Sequence, residues 1–485
     1  MTLVYILVLT IFALLAGWAA PRHWRGWLLL GGSIIAIYWL QPLTPIRNLD
    51  FWLPTLSIAL TAFVWAVTQA GKLSTQQLVK QGSFLTALVI SAMILGIALM
   101  RYLGPLCCLT PTRPPELLKV LIALVILWLG VVVLTRLLPE RRALASAAVL
   151  LIIGLFILLK SDQLSQLASK GWRSFSGQPA SQASALDLQW LGFSYLAFRL
   201  LHVLRDYQSG KSMPSTLGEF VTYAIFFSSI TAGPIDRSQH FIGELRKTTT
   251  PNQGRSRLSQ TDLVQGSQQI LWGIFKKIVL ADGLALVALS ATNASQVKSS
   301  LWMWVLLYAY ALRIYFDFSG YTDIAIGIGI FTGIKLPENF DRPYLKQNLT
   351  QFWNSWNMTL AQWFRAYYFN PVTRALRSRP QKLPAWFIIL VGQLSTMLLI
   401  GLWHGITWNF AAWGAWHGLG LFIHNRWSEW IRPRLAPMET RPRLSLALQA
   451  GGWLVTFNYV ALGWVWFALP NIGLALGVYR KLLGI

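Results

Sequence analysis

The sequence predicts an all-α, polytopic transmembrane helical bundle of about 11–14 membrane helices, re-entrant and interfacial segments included, and three observations carry that expectation. Of 485 residues, 55% are hydrophobic and only 12% charged, where soluble domains hold roughly a quarter charged residues. Apolar runs of about 17 residues, enough to cross a bilayer core of roughly 30 Å, recur more than about ten times. The runs lack the alternation of an outer-membrane barrel, so their backbones must satisfy themselves as helices. A water-soluble enzyme is excluded. The adjacent Cys107 and Cys108 supply neither a disulfide framework nor the ligands of a structural zinc site, and no metal or bound cofactor is called for.

Residues 1–20 form an apolar stretch with no basic residue before it and Arg22 and Arg25 just after it, the reverse of a secretory signal. It is expected to stay as a first span with its N-terminus outside. Further spans are expected at 26–43, 51–70, 84–100, 117–134 and 143–159. The first, third and fifth links carry Arg22 and Arg25, Lys72 and Lys80, and Arg136, Arg141 and Arg142, while the second balances Arg47 against Asp50. Basic links face the cytoplasm, which places the odd links inside; Arg101, Arg113 and Lys119 of the fourth run against that pattern. The first 160 residues are thus a motif-poor set of membrane helices, closed by a Ser/Gln/Gly-rich linker at 161–185.

Beyond the linker, helices are expected at 186–204, 217–235, 268–289, 301–332, 349–369, 385–402, 405–424 and 446–469. Several are too polar or too long for a simple crossing. They divide into a core at 186–425 and a last link and helix at 426–485, with no repeat of fixed period.

The net charge of +24 lies mostly in the links. It suits contact with membrane lipid head groups and would also steer in an anionic donor such as a coenzyme A phosphate or an acidic carrier protein. Nucleic acid explains it poorly.

Three constellations stand out. The stretch 315–341 gathers Asp317, Asp323, Glu338 and Asp341 among Phe, Tyr and Ile, and an intramembrane carboxylate needs a partner or a wet cavity. Either Asp317 caps a helix broken at Ser319-Gly320 and pairs with Arg313 or Arg365, or the acids take part in chemistry; in both cases they border a site. The stretch 351–371 interleaves aromatics with Asn354, Asn357, Gln362 and Arg365. It reads as an interfacial helix or as one aiming the Asn357 amide into a cavity. The stretch 401–420 sets His404 and His417 among tryptophans, and imidazole is the side chain suited to take a proton from an alcohol near neutral pH. On one continuous helix the two rings would point about 140° apart and lie about 20 Å from each other along the axis. His417 and His424 would share a face, and a purely structural histidine is a third reading.

These motifs, in order, resemble the membrane-bound O-acyltransferase superfamily, in the bacterial branch that acts on alginate and teichoic acid. Gly192-Phe193-Ser194-Tyr195 with Arg199 is similar to the family's G-[IF]-S-[FY] helix, Ala232-Gly233-Pro234-Ile235-Asp236-Arg237 to its A-G-P-I-x-R turn, and Phe275-Lys276-Lys277 with Ala281-Asp282 to its F-K-K…A-D segment. Tyr315-Phe316-Asp317-Phe318-Ser319-Gly320-Tyr321, Leu336-Pro337-Glu338-Asn339-Phe340, Phe352-Trp353 to Arg365, and Leu402-Trp403-His404-Gly405 continue the series.

The resemblance implies that His404 is the base that deprotonates the acceptor hydroxyl, with His417 supporting it. The branch's second histidine falls on Asn357 within Trp356-Asn357-Met358-Thr359-Leu360; lipid-esterifying relatives carry Asn there, and an amide positions or polarises without titrating. The implied site is catalytic His404 and Asn357, with Asp317, Tyr321, Asp323, Trp353, Arg365, Trp403 and His417 binding substrate or supporting it. The implied reaction moves an acyl group, in this branch acetyl, from a cytoplasmic acyl-coenzyme A or acyl carrier protein thioester through a tunnel or funnel to a hydroxyl. A periplasmic or extracellular acyltransferase partner would then O-acylate a surface polysaccharide, the chain itself being a multi-pass protein of the inner membrane.

Two other classes compete. A secondary transporter or lipid flippase would couple ions through Asp317 and Asp323, yet no inverted repeat is visible. A membrane glycosyltransferase would want paired acids in an early link, where only Asp50, Glu116 and Glu140 stand, unpaired.

Overall fold

The computed structural model describes residues 2–69, 82–104, 107–136, 141–249, 258–439 and 442–485. Lys72, Lys80 and Glu140 of the links above lie outside the described residues, as does the Arg136 side chain. The described residues are helical throughout, joined by turns, with a single isolated antiparallel bridge between Phe340 and Trp356. Among them, five helices are long and apolar enough to cross a membrane: Leu49–Thr68, Ser83–Tyr102, Leu117–Leu134, Arg141–Lys160 and Ala385–His404.

The chain forms two compact units. The first comprises Met1–Leu271 and Asp323–Pro337, the second Trp272–Thr322 and Glu338–Ile485. The 161–185 stretch therefore lies inside the first unit.

The first unit holds α1 (Leu3–Leu14), α2 (Arg22–Trp39), α3 (Leu49–Gln69), α4 (Ser83–Leu99), α5 (Leu117–Arg136), α6 (Arg141–Lys160), α7 (Asp162–Phe175), α8 (Phe193–Gln208), α9 (Leu217–Ala224), α10 (Ser238–Thr249) and most of α11 (Gln260–Ile274). Helix α3 is its centre, packed by α2, α5, α6, α8 and α9. Most of its span is buried, 72%, against 17% for α5 and for α6, whose exposed Leu, Ile and Val are suited to lipid tails. The buried hydroxyls of α3 are tolerated there because each finds a local acceptor. Thr55, Ser57, Thr61 and Thr68 donate to the carbonyls of Phe51, Leu53, Ser57 and Val64, one turn earlier. Thr55 also pairs with the Tyr38 hydroxyl at 2.7 Å, and Ser57 accepts from the Trp190 indole at 2.8 Å.

The stretch expected to be a linker is mostly α7, whose buried Arg173 bonds Asp187 at 2.8 Å. Ser169 donates to the same carboxylate at 2.6 Å. Helix α8 begins at Phe193 rather than near 186, leaving Asp187 in the turn ahead of it.

The second unit holds the end of α11, residues 300–322 of α12 (Ser300–Thr332), α13 (Leu349–Trp353), α14 (Met358–Phe364), α15 (Asn370–Arg377), α16 (Ala385–His404), α17 (Trp408–Glu439), α18 (Pro442–Ala468) and α19 (Ile472–Leu483). Helix α12 runs 33 residues without interruption, about 50 Å at 1.5 Å per residue and so longer than a bilayer core. The expected break at Ser319-Gly320 is absent. Gly320 instead admits a close crossing, since a Cβ there would lie 2.7 Å from the Gly273 carbonyl oxygen and 2.9 Å from the Lys277 nitrogen.

Candidate functional site

The second unit's histidines are positioned by a helical hairpin. Helix α16 ends at His404, Gly405 and Ile406 make the turn, and Thr407 starts α17, its hydroxyl accepting from the Phe410 N–H at 3.4 Å. Glycine lets the two backbones meet: a Cβ on Gly401 would lie 2.2 Å from the Phe410 carbonyl oxygen, and one on Gly414 would lie 2.5 Å from that of Met397. Because the chain turns back here, the one-helix geometry that would separate His404 from His417 does not apply. Both rings touch Trp413, with centroids 5.8 Å and 4.9 Å from it.

His404 is partly buried. Its ring lies 4.4 Å from Trp403 and 4.7 Å from Phe467, between centroids, and stacks on Phe410 at 5.8 Å. His417 is fully enclosed, edge-on to Trp353 at 5.0 Å and near Tyr459 and Trp464. Neither nitrogen of the His417 ring has a hydrogen-bond partner among the described residues, and the same holds for the buried indole nitrogens of Trp353 and Trp413. Buried polar atoms left unpaired are costly and uncommon. Four such atoms lie on the three mutually packed rings of Trp353, Trp413 and His417.

Asn357 sits where α13 gives way to α14, in the left-handed region at φ 43° and ψ 54°. Among residues with a Cβ, Asn and His enter that region most readily. The segment after α12 braces this corner. Asn339 accepts from the Met358 N–H through its carbonyl oxygen at 2.9 Å, and through its side chain from the Thr359 N–H and hydroxyl at 3.0 and 2.8 Å. Phe340 and Trp356 form the isolated bridge. Asn357 is buried, and its side chain does not cap α14. Its neighbour Trp356 touches Trp464, which stacks on Trp413.

The structure therefore brings Trp353, His404 and His417 together through Trp413, adds Trp403 through its contact with His404, and connects the neighbour of Asn357 through the Trp356–Trp464 contact. The other expected residues stand in separate networks. Asp317 pairs with Lys277, not with Arg313 or Arg365, and half of its side chain is exposed. Arg365 donates to the Asn354 side chain at 2.5 Å. Tyr321 is buried on α12. Asp323 belongs to the first unit, where Gln269 donates to it at 2.9 Å. His424 bonds Thr350 and Ser428 rather than pairing with His417. Sequence reasoning passed over Trp413, Trp464, Phe467 and Gly463. Only Trp413 left a trace, four residues before His417 and so on the same helix face. Among the described residues no group of three His, Cys, Asp or Glu gathers as a metal site needs.

The family model for membrane-bound O-acyltransferases matches residues 51–462. The chain is 32% identical over 273 residues to a peptidoglycan O-acetyltransferase of Helicobacter pylori, covering 56% of this chain and 48% of that protein. It is 31% identical over 302 residues to a teichoic acid D-alanyltransferase of Streptococcus thermophilus, covering 60% and 71%. A probable alginate O-acetylase of Pseudomonas aeruginosa is 31% identical over 294 residues, covering 60% and 51%. The matched part thus spans about half the length of the first and third of these relatives.

Proposed function

The chain belongs to the membrane-bound O-acyltransferase family, and from that premise we propose that it transfers an acyl group, in the first instance acetyl, from a thioester to a hydroxyl for O-acylation of a cell-surface polysaccharide. The observation that carries this reading is the place of His404: the last residue of α16, held among Trp403, Phe410, Trp413 and Phe467 and still partly open. The printed names of the relatives, acetylation of peptidoglycan and alginate and D-alanylation of teichoic acid, support the substrate class.

In the proposed reaction the His404 imidazole takes the proton of the acceptor hydroxyl as its oxygen attacks the thioester carbonyl. The tetrahedral intermediate collapses, the C–S bond breaks, and the thiolate takes the proton back from the imidazolium. Asn357, whose amide is enclosed and not used to cap α14, supplies an N–H to the oxygen that gains charge. His417 acts behind Trp413 as a positioning residue. The aromatic walls exclude water, which would otherwise intercept the acyl group.

The donor, acyl-coenzyme A or an acylated carrier protein, would come from the cytoplasmic side through a tunnel or funnel. A periplasmic or extracellular acyltransferase would receive the product, with the chain multi-pass in the inner membrane. The high positive charge of the links supports an anionic donor. A transporter has less support: Asp317 is matched by Lys277 and Asp323 is bonded by Gln269.

Mass spectrometry of surface glycans tests the proposal. Ester-linked acyl groups should be present in cells that make the chain and missing in cells that make His404→Ala at equal membrane abundance. Identical glycans in the two would refute it.

A further inference from the structure

The first unit carries a cleft that the proposed reaction does not use. It has a volume of about 430 Å³ and lies where α2 and α4 end and α3 and α5 begin, a size usual for small-ligand sites. Arg47, Arg101, Arg113 and Lys119 line it, against one carboxylate, Glu116, which is paired with Lys119 at 3.2 Å.

The cleft is braced from within. Asp50, fully buried, accepts from both the N–H and the hydroxyl of Thr112 at 2.6 Å, fixing one wall. Gln178 fixes the other by accepting from the Arg47 N–H at 2.8 Å and donating to the Pro45 carbonyl at 3.1 Å. Arg113 grips the Arg101 carbonyl with Nε and Nη2, and Arg101 donates through Nη1 to the Pro114 carbonyl at 2.6 Å. A guanidinium has five N–H donors, so both keep donors and an uncompensated charge. The Arg47 side chain has no partner among the described residues. Next to these cations in the chain, Leu43, Leu99, Leu103, Leu118 and Ile122 are exposed.

We propose that this cleft holds the phosphate of an anionic membrane lipid. The arginines match phosphate oxygens in geometry and charge, the cleft lies at the level where helix ends meet head groups, and the exposed leucines beside it suit acyl chains. A soluble phosphate shares the first of these features and lacks any use for the last.

The test uses the full chain, purified and placed in phosphatidylcholine nanodiscs with a fraction of phosphatidylglycerol, and reads retained lipid by native mass spectrometry. Arg101 and Arg113 also hold backbone, so the variants are Arg47→Gln, Lys119→Gln and the pair. The parent should retain phosphatidylglycerol over phosphatidylcholine, and each variant should lower that preference by about fivefold. Millimolar glycerol 3-phosphate should leave the lipid in place. Parent-like preference in the double variant would overturn the site, and displacement by glycerol 3-phosphate would overturn the lipid in favour of a soluble phosphate.

Discussion

Gly463 faces His417 so closely that a Cβ on it would lie 2.5 Å from the imidazole Nε2 and 2.9 Å from Cε1. The ring has nowhere to go, with Trp353, Trp413, Tyr459 and Trp464 around it. Gly463→Ala should therefore cost about 1–3 kcal/mol, as overpacking does, seen as a lower unfolding midpoint in detergent, and should reduce acyl transfer. Gly451, on the same helix α18, has nothing within 4 Å of its would-be Cβ. Gly451→Ala should leave the midpoint unchanged or raise it. Equal behaviour of the two variants would show that the ring is free to move.

Asp187 and Arg173 make the first unit sensitive to acid. Burial pushes the Asp187 carboxyl up, but hydrogen bonds from Arg173, Ser169 and the Ser184 N–H, with the charge of Arg173, outweigh it and hold the group below its ordinary value of 3.8. A depressed folded-state value means that the pair's contribution is complete above the unfolded-state value and is lost as the pH falls through the folded one. Stability should therefore be flat in this contribution above about pH 4 and decline below it. Asp187→Asn, which leaves Arg173 buried and uncompensated, should cost about 3–5 kcal/mol at neutral pH. Replacing both partners by leucine should cost less. Chemical denaturation across pH checks both expectations.

The helical, membrane-embedded class was legible because lipid leaves the backbone few alternatives, and the five helices long and apolar enough to cross a membrane among the described residues fall close to runs that hydropathy alone marks. The break after His404 was legible too, with helices expected at 385–402 and 405–424 and found at Ala385–His404 and Trp408–Glu439, but not the close doubling back that sets both imidazoles against Trp413. The pairing of Asp317 with Lys277 was hidden because the two stand 40 residues apart on crossing helices, while Arg313 lay temptingly one turn away. Gly463 gave no sign at all: a glycine in an apolar helix reads the same whether it faces lipid or makes room for an imidazole. The chemistry-bearing residue types were visible in sequence, and the space around them was not.

His404 and His417 should separate in their effects. Removing a general base costs about 10²–10⁴-fold, so His404→Ala should bring acyl transfer to background without loss of insertion. His417 has both ring nitrogens unpaired in a closed pocket. His417→Leu therefore removes two unsatisfied groups at much the same volume, and the unfolding midpoint should hold or rise. Part of the activity should survive, because Trp413 still packs against His404. A His404 variant with parental turnover would remove it from the mechanism, and a His417 variant at background would make His417 a participant in it.

Asn357 combines two roles that one substitution would confuse. Its backbone is left-handed at φ 43°, a conformation costing other residues with a Cβ about 1–2 kcal/mol, and its amide is the group proposed to meet the acyl oxygen. Asn357→Leu loses both and so separates nothing. Asn357→Gly keeps the backbone at ease and deletes only the amide; it should fold like the parent and lose about 10²–10³-fold in turnover, the usual worth of one oxyanion donor. Asn357→His, which tolerates the same backbone region and carries a donor, should lose far less. Parental turnover in the Gly variant would leave Asn357 as a residue chosen for its corner alone, and the proton-taking and charge-holding work would then rest on the hairpin and its aromatic walls.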